Sequence, residues 1–194
     1  MAIAINGSTN VITGIGVGGL PDGIVDTDML AADSVTAPKI GSKTFTSYAI
    51  IVDQKSNTTD GGTFTSGAWR TRDLNTELSD PDGIVSISSN QFILAAGSYL
   101  IEWICPAFRC GRHQSRLYDI TGSASIQHGK SNTSDTGADG DGNESEGAAR
   151  ITISANNTYE IQHRCSTTEA TTGLGHASDF GTEIYTLVKI FKEA

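Results

Sequence analysis

The stretch Ser98-Tyr-Leu-Ile-Glu-Trp-Ile-Cys105 decides the fold, because it predicts a β-strand with large apolar side chains on both faces. The first face carries Tyr99, Ile101, Trp103 and Cys105. The second face carries Leu100, Glu102 and Ile104. An antiparallel sandwich strand normally exposes one face to water. A second apolar face therefore predicts either a covering loop or a neighbouring subunit, and we favour the subunit.

The predicted last strand, Thr182–Lys192, has the same two-faced pattern. Its alternation places Ile184, Val188 and Ile190 on one face. The opposite face then holds Tyr185, Leu187 and Phe191. An interface of about 800 Å² per protomer would lie in the range of stable complexes. We therefore predict a subunit interface that includes Tyr99, Ile101, Trp103, Ile184, Tyr185, Leu187 and Phe191.

Glu102 is the polar exception on the second face of the Ser98 strand. A carboxylate in such a position requires a basic or hydrogen-bonding partner. Candidates from this chain or another are Arg109, Arg112 and Arg116. These arginines and His113 form the only basic cluster of the sequence. The cluster predicts either an anion or sugar site or ion pairs between subunits, and we favour the ion pairs.

The remainder of the chain from Phe45 onward also consists of short alternating segments separated by turn signals such as Pro81-Asp82-Gly83. Roughly ten such strands and no helix of ten residues or more predict an all-β sandwich or barrel. Residues 1–44 contain no aromatic side chain, and Thr, Ser, Asp and Gly separate their aliphatic ones. They cannot close a core, and we predict an extended arm at 1–44 and a head domain at 45–194.

Composition excludes several classes of partner. The 194 residues carry a net charge of −9, which opposes binding to nucleic acid and to anionic membranes. No stretch approaches the roughly 18 apolar residues of a membrane span. The N-terminus lacks the basic region of a secretory signal, since the first lysine is Lys39. Three cysteines, an odd number, predict buried free thiols rather than a disulfide framework.

The acidic stretch Ser131–Gly147 predicts a long solvated loop. Asp139-Gly-Asp-Gly-Asn143 resembles a calcium loop, but an EF-hand would need Gly and Glu where Glu144 and Arg150 stand. A different calcium geometry stays open. The cysteines and histidines at 105, 110, 113, 163 and 165 do not have a standard zinc spacing. We predict no metal site and no cofactor.

Exposed loops are the candidate ligand-binding elements. We select the loops Asn57–Gly62, Asn75–Asp82 and Ser131–Gly147. The candidate binding residues are Asn57, Asp60, Asn75, Asp80, Asn132, Asp135, Asp139 and Asp141. The sequence contains no nucleophile-elbow, metalloprotease or phosphate-loop motif, and we predict that the chain is not an enzyme.

Several segments resemble known proteins. Gly7-Ser-Thr-Asn-Val-Ile-Thr-Gly-Ile15 and Val17-Gly-Gly-Leu-Pro-Asp-Gly-Ile-Val-Asp-Thr-Asp-Met-Leu-Ala31 look like N-terminal segments of tail-fibre-type proteins of marine bacteriophages. Phe92-Ile-Leu-Ala-Ala-Gly-Ser-Tyr-Leu-Ile101 resembles the signature of complement and tumour-necrosis-factor jelly rolls. Arg112-His-Gln-Ser-Arg-Leu-Tyr118, His163-Arg-Cys165 and Phe180-Gly-Thr-Glu-Ile-Tyr185 resemble a head domain that recurs in such phage proteins.

This resemblance implies a parallel homotrimer of two-sheet antiparallel jelly rolls, with Tyr99 and Tyr185 near the threefold contact. It also implies a virion location, an arm that contacts other virion proteins through residues 1–44, and a head that meets a host cell-surface glycan or protein. It supplies no catalytic residues, no nucleic-acid partner and no membrane insertion. The arm is shorter than in long fibres, so a capsid decoration or head-fibre protein without receptor is the alternative. A glycan-degrading tailspike-like enzyme is the other alternative.

Overall fold

The computed structural model describes residues 45–137 and 141–194 in full and two short strands before them. The chain divides into two units, Met1–Lys43 and Thr44–Ala194. In the first unit, β1 (Ala4–Asn6) pairs antiparallel with β2 (Val11–Thr13). The rest of the predicted arm lies outside the described residues. Within the described part of the chain, no helix is long and apolar enough to cross a membrane.

The first sheet of the head has five strands. In spatial order they are β12 (Gly142–Ile153), β8 (Gly97–Phe108), β14 (Glu183–Glu193), β3 (Phe45–Lys55) and β5 (Thr76–Ser79). All neighbours in this order run antiparallel. The central strands β8, β14 and β3 are long, at 11 or 12 residues, and rich in the β-branched and aromatic side chains that favour strands.

The second sheet has seven strands. Its main order is β10 (Ala124–His128), β9 (Gly111–Asp119), β13 (Asn157–Cys165), β7 (Gln91–Leu94) and β6 (Val85–Ser88). Two short strands complete it: β4 (Arg70–Thr71) pairs with β13, and β11 (Asn132–Ser134) pairs with β9. Two antiparallel sheets without helices form a sandwich, and this confirms the predicted all-β jelly-roll class.

The core lies between the two sheets and is filled by the inward side chains of each strand. The largest fully buried apolar side chains are Trp103, Tyr99, Tyr159, Phe64, Phe92, Ile51, Leu74, Leu94, Ile101, Leu117 and Ile161. The Trp103 indole N–H donates to the Ser115 hydroxyl at 2.8 Å, which satisfies its polar group across the core.

The inward face of β8 corrects part of the predicted subunit interface. Tyr99, Ile101 and Trp103 are 0%, 0% and 1% exposed in a single protomer. Side chains so completely covered by their own chain have no surface to offer a partner. The sequence pattern showed two apolar faces, and the face with the larger side chains turned out to be the core.

A β-bulge in β14 corrects the predicted parity of the last strand. Ile184 pairs with Gln54 and Leu187 with Val52, so Tyr185 and Thr186 both stand opposite Asp53. Both bulge residues point inward and are buried, whereas Ile184 is exposed. Ile184 therefore shares a face with Leu187 and Phe191, and Tyr185 belongs to the interior, where its hydroxyl donates to the Thr59 carbonyl at 2.7 Å.

Two predicted loops contain strands. Within Ser131–Gly147, β11 and the first half of β12 are regular, because buried hydroxyls replace apolar side chains on their inner faces. Ser134 is 2% exposed and accepts the Cys110 N–H, and Ser145 is fully buried and accepts the Ser115 N–H. The loop predicted at Asn75–Asp82 similarly includes β5, which pairs with β3.

Candidate binding surfaces of the head

The outer face of the five-stranded sheet carries a band of apolar side chains. Each cross-strand row brings together one residue from β8, β14 and β3. One row is Leu100, Phe191 and Tyr48, and another is Ile104, Leu187 and Val52. Tyr48 is 44% exposed, and the leucines, Ile104 and Phe191 are half-buried. We call Tyr48, Leu100, Ile104, Leu187 and Phe191 the apolar face.

Further apolar side chains extend this band at both ends. Phe45 is 37% exposed, and its ring centroid lies 5.2 Å from that of Phe191. Ile184 is exposed beyond Leu187 as a result of the bulge. At the margin, Arg150 pairs with Glu193 at 2.6 Å. Apolar side chains gathered on one face, with charged residues at its margin and in its middle row, are typical of a protein–protein interface.

Glu102 lies in the middle row of the apolar face, directly opposite Lys189 in the strand register. The three arginines that the sequence suggested as partners of Glu102 do not lie on this face. Arg112 and Arg116 belong to β9 of the other sheet, and Arg109 lies in the turn before β9. A shallow cavity of about 440 Å³ opens beside this row, between Ile104, Leu187 and Gly147. The face is therefore not flat, and it offers a recess to a protruding side chain.

The eight candidate binding residues do not form one site. Asn57 and Asn75 are exposed, but the Asn75 amide donates to Asp53 and to the Gln54 carbonyl. The Asp60 carboxylate accepts the Ala177 N–H and pairs with His176 at 3.0 Å. The Asp80 carboxylate accepts the N–H groups of Ile84 and Val85. Asn75, Asp60 and Asp80 thus hold turns in place.

The other four candidates belong to the acidic stretch. Asn132 lies in β11, where its side chain donates to the Glu144 carbonyl at 2.9 Å. Asp135 and Asp141 are exposed, and Asp139 lies outside the described residues. Within the described part of the head, no group of three or more His, Cys, Asp or Glu side chains is arranged to hold a metal ion. The role of these residues in binding stays a prediction.

The basic cluster of the sequence divides between the interior and one surface. His113 is buried, whereas Arg112 and Arg116 lie on the outer face of the seven-stranded sheet. There they join Arg164 of β13 and Trp69, which precedes β4. We call Trp69, Arg112, Arg116 and Arg164 the arginine–tryptophan surface. Sequence reasoning missed Trp69 and Arg164, because they reach the β9 arginines only through the pairing of β13 with β9 and of β4 with β13.

Buried polar side chains connect the acidic stretch with the interior. The Asn143 amide donates to Asn132 and to the Thr133 carbonyl, which leaves its oxygen to accept from His113 Nε2. His113 Nδ1 must then accept, so His163 Nε2 donates to it at 3.0 Å. Burial and the positive charge of Arg72 lower the pKa of both histidines, and for His163 the neighbouring His113 ring lowers it further. Both rings are therefore neutral at pH 7.

The Cys105 thiol is not activated for nucleophilic chemistry. Cys105 is fully buried between the sheets, and burial raises its pKa to about 11. A thiol with such a pKa is protonated at neutral pH and is a poor nucleophile. All three cysteines are free and buried, as the sequence predicted.

Comparisons with known proteins identify the fold. The head is similar to the Eiger TNF from S. frugiperda, with a TM-score of 0.52 and 13% identity over 78% of this chain and 94% of that chain. It is similar to murine APRIL at pH 5.0, with a TM-score of 0.50 and 10% identity over 75% of this chain and 98% of that chain.

The globular domain of zebrafish complement 1qA protein matches 75% of this chain and 96% of its own, with 14% identity and a TM-score of 0.45. No family model matches the sequence, and no curated protein does. Identities of this size show a shared fold alone. The head is a jelly roll of the kind found in Eiger TNF and APRIL.

Proposed function

We propose that the chain is a structural protein of a bacteriophage virion, and that its head assembles into a homotrimer that adheres to the host cell surface. The observation that carries this proposal is the apolar face of the five-stranded sheet. Contiguous exposed apolar surface is unfavourable in water and commonly marks a contact with another protein. Identical chains bring identical faces, and closed symmetry covers them without leaving an open end.

The trimeric state and the virion role rest on the resemblance of the sequence to phage tail-fibre-type proteins. That resemblance includes the aromatic-free segment 1–44, whose sparse apolar residues gain most when parallel copies associate. In this proposal, residues 1–44 contact other virion proteins, and the head is held outward. The face used for assembly is on one sheet, so the outer face of the other sheet remains accessible to a host molecule.

The location in the virion is tested by immunogold labelling of intact particles of the phage that encodes the chain. Label at the tail tip or tail fibres is the expected result. Label distributed over the shell would instead identify a capsid decoration protein. Particles that contain none of the chain by mass spectrometry would refute the virion role altogether.

Adhesion is tested by competition. The purified full chain, added to host cells before infection, is expected to slow phage adsorption in a concentration-dependent manner. Unchanged adsorption at saturating protein would contradict a receptor-binding role. Incubation of the protein with isolated host-envelope glycans is expected to release no soluble product, and the appearance of oligosaccharides would favour a glycan-degrading enzyme.

A further inference from the structure

The arginine–tryptophan surface is built by strand register. Arg112, Gln114 and Arg116 alternate along β9 and point to the outer face, while the residues between them point inward. Arg164 of β13 stands directly opposite Gln114, and Gln162 stands opposite Arg116. The fixed register of two long strands holds these side chains on one rigid platform.

Arg116 and Trp69 stabilise each other at the centre of this surface. The Arg116 guanidinium lies 4.2 Å from the centroid of Trp69 and 4.7 Å from that of Tyr118. Its Nε donates to Gln162 Oε1 at 2.8 Å. Stacking of an arginine on aromatic faces is favourable, the more so when it is partly desolvated. The indole of Trp69 is thus fixed in position while part of it remains in contact with solvent.

Arg112 and Arg164 are exposed, and neither forms an ion pair with a described residue. Together with Trp69 and Ser131–Thr133 they line an open surface cavity of about 710 Å³. Among the residues that the structure describes, no aspartate or glutamate lines this cavity. A volume of this order is typical of small-ligand sites.

The charge of this cavity is opposite to that of the whole chain. The sequence has 22 acidic and 13 basic residues, and yet basic side chains alone supply the charges here. Screening limits the reach of exposed charges to about 8 Å at physiological ionic strength. A ligand in the cavity therefore experiences the arginines that line it more strongly than acidic residues beyond that distance.

We propose that the arginine–tryptophan surface binds anionic sugar units, carboxylated or sulfated, of a cell-surface polysaccharide. The inference rests on the proposed adhesion function and names its ligand class and its site. Arg112 and Arg164 donate paired N–H groups to the carboxylate or sulfate of the sugar. The planar guanidinium matches the geometry of such groups. Trp69 covers the apolar C–H face of the sugar ring, and Gln114 and Thr133 offer hydrogen bonds to hydroxyls.

The same features disfavour two other polyanions. Double-stranded DNA carries a charge about every 1.7 Å and would extend over the acidic remainder of the surface. An acidic peptide would satisfy the arginines, but it would not require the ordered indole beside them. A chain of sugar rings with spaced charges fits both the cationic and the aromatic part of the cavity.

Isothermal titration of the full chain with two probes tests this inference: an oligogalacturonate for the carboxylate and a sulfated dextran oligosaccharide for the sulfate. At least one of the two probes is expected to bind, and to bind more weakly at high salt. Neutral dextran is expected not to bind. Hydrogen bonds from a charged donor are stronger than those between neutral groups. Arg164→Ala and Arg112→Ala are therefore each expected to weaken binding about tenfold or more.

Matched variants separate the site from general charge. Lys130→Ala removes one exposed positive charge outside this cavity and is expected to leave affinity within about twofold. Arg112→Lys keeps the charge but loses the planar fork, so it should retain only part of the affinity. Trp69→Ala is expected to weaken sugar binding while circular dichroism confirms that the fold is kept.

The proposal is overturned if neither probe binds at millimolar concentration. It is also overturned if Lys130→Ala weakens binding as much as Arg164→Ala, or if polyglutamate or single-stranded DNA binds as tightly as the better sugar probe. Failure of the virion role is a separate result. The purified chain would still bind glycan even if phage particles contained none of the chain. Particles that contain the chain, together with arginine variants that bind glycan normally, would refute this site alone.

Discussion

His163 is the residue whose burial has the clearest consequence in solution. It lies in the interior between Phe64, at 4.7 Å between ring centroids, and His113, at 3.0 Å between nitrogens. Arg72 is fully buried nearby, where its guanidinium donates to Thr186, the Pro106 carbonyl and the Leu174 carbonyl. Burial, and then the unfavourable placing of a second positive charge beside this arginine, lower the pKa of His163 well below its usual value.

This arrangement predicts that the protein loses stability on mild acidification. The folded state holds the pKa of His113 and His163 below the value of about 6.5 found in unfolded chains. Below that pH the unfolded chain binds protons that the folded chain does not, so the free energy of unfolding falls. Each histidine lowers the free energy of unfolding by up to about 1.4 kcal/mol for each pH unit between about pH 6.5 and the pKa of that histidine in the folded state.

Urea unfolding at pH 7.5, 6.5, 5.5 and 5.0, at constant protein concentration, measures this slope. His163→Gln is expected to be less stable than the wild type at pH 7.5. Its free energy of unfolding should depend on pH about half as steeply, because only one histidine with a lowered pKa remains. His128→Gln, at an exposed position on β10, is the matched control and should keep the full slope. A pH-independent wild type would contradict the assignment of two neutral buried rings.

Gly147 is a second residue whose identity follows from packing. A Cβ at this position of β12 would lie 2.0 Å from Cζ2 of Trp103, far inside van der Waals contact. Trp103 is itself fixed in the core by its bond to Ser115. The absence of a side chain on the edge strand is therefore what lets the indole fill this part of the sandwich.

Gly147→Ala is expected to destabilise the head by about 1–3 kcal/mol, since overpacking forces a large side chain out of its preferred position. Chemical denaturation with Trp fluorescence reports both the loss and the displaced indole. Gly181→Ala is the control, because a Cβ there has no atom within 4 Å. Equal stability of the two variants would show that Trp103 moves without cost.

At the scale of elements, β14 decides which surface the head presents. Without its bulge, Ile184 would point into the core and Tyr185 outward. With it, Ile184, Leu187 and Phe191 align on the outer side of the sheet, beside Leu100 and Ile104 of β8. One inserted residue thus adds Ile184 to the apolar side chains on this side of β14, which Lys189 interrupts.

Leu187→Lys is expected to dissociate the proposed trimer without unfolding the protomer. The side chain is half-buried on the apolar face and is not part of the core, so a lysine there can reach water in the protomer but not in a tight interface. Size-exclusion chromatography with light scattering measures the mass, and circular dichroism the fold.

Ile126→Lys, on β10 of the other sheet, is the matched control. Ile126 has the same size as Leu187, and its side chain is 37% exposed. It should leave the assembly unchanged. Dissociation by Ile126→Lys, with none by Leu187→Lys, would move the interface to the seven-stranded sheet and away from the apolar face.

At the scale of the whole molecule, the sequence predicted the class of fold because alternation is a local property. Tyr99 to Cys105 and Tyr48 to Val52 show a period of two in the sequence itself. What alternation cannot tell is which of two apolar faces is inward, since that depends on the other sheet. The inward assignment of Tyr99, Ile101 and Trp103, and the bulge at Tyr185, became visible only in the structure.

The binding surfaces show the same limit. Asp60 and Asp80 looked like loop residues available to a ligand, but they accept backbone N–H groups that a turn leaves unpaired. Trp69 and Arg164 gave no local signal, because they are 95 positions apart in the sequence (164 minus 69) and meet only through strand pairing. Surfaces assembled from distant strands cannot be read from one segment.

The central claim is that copies of this chain cover the apolar outer face of the five-stranded sheet. Sedimentation equilibrium of the purified full chain at micromolar concentration tests it most directly. A single species with three times the mass of the 20.3 kDa chain is expected. A stable monomer under the same conditions would contradict it.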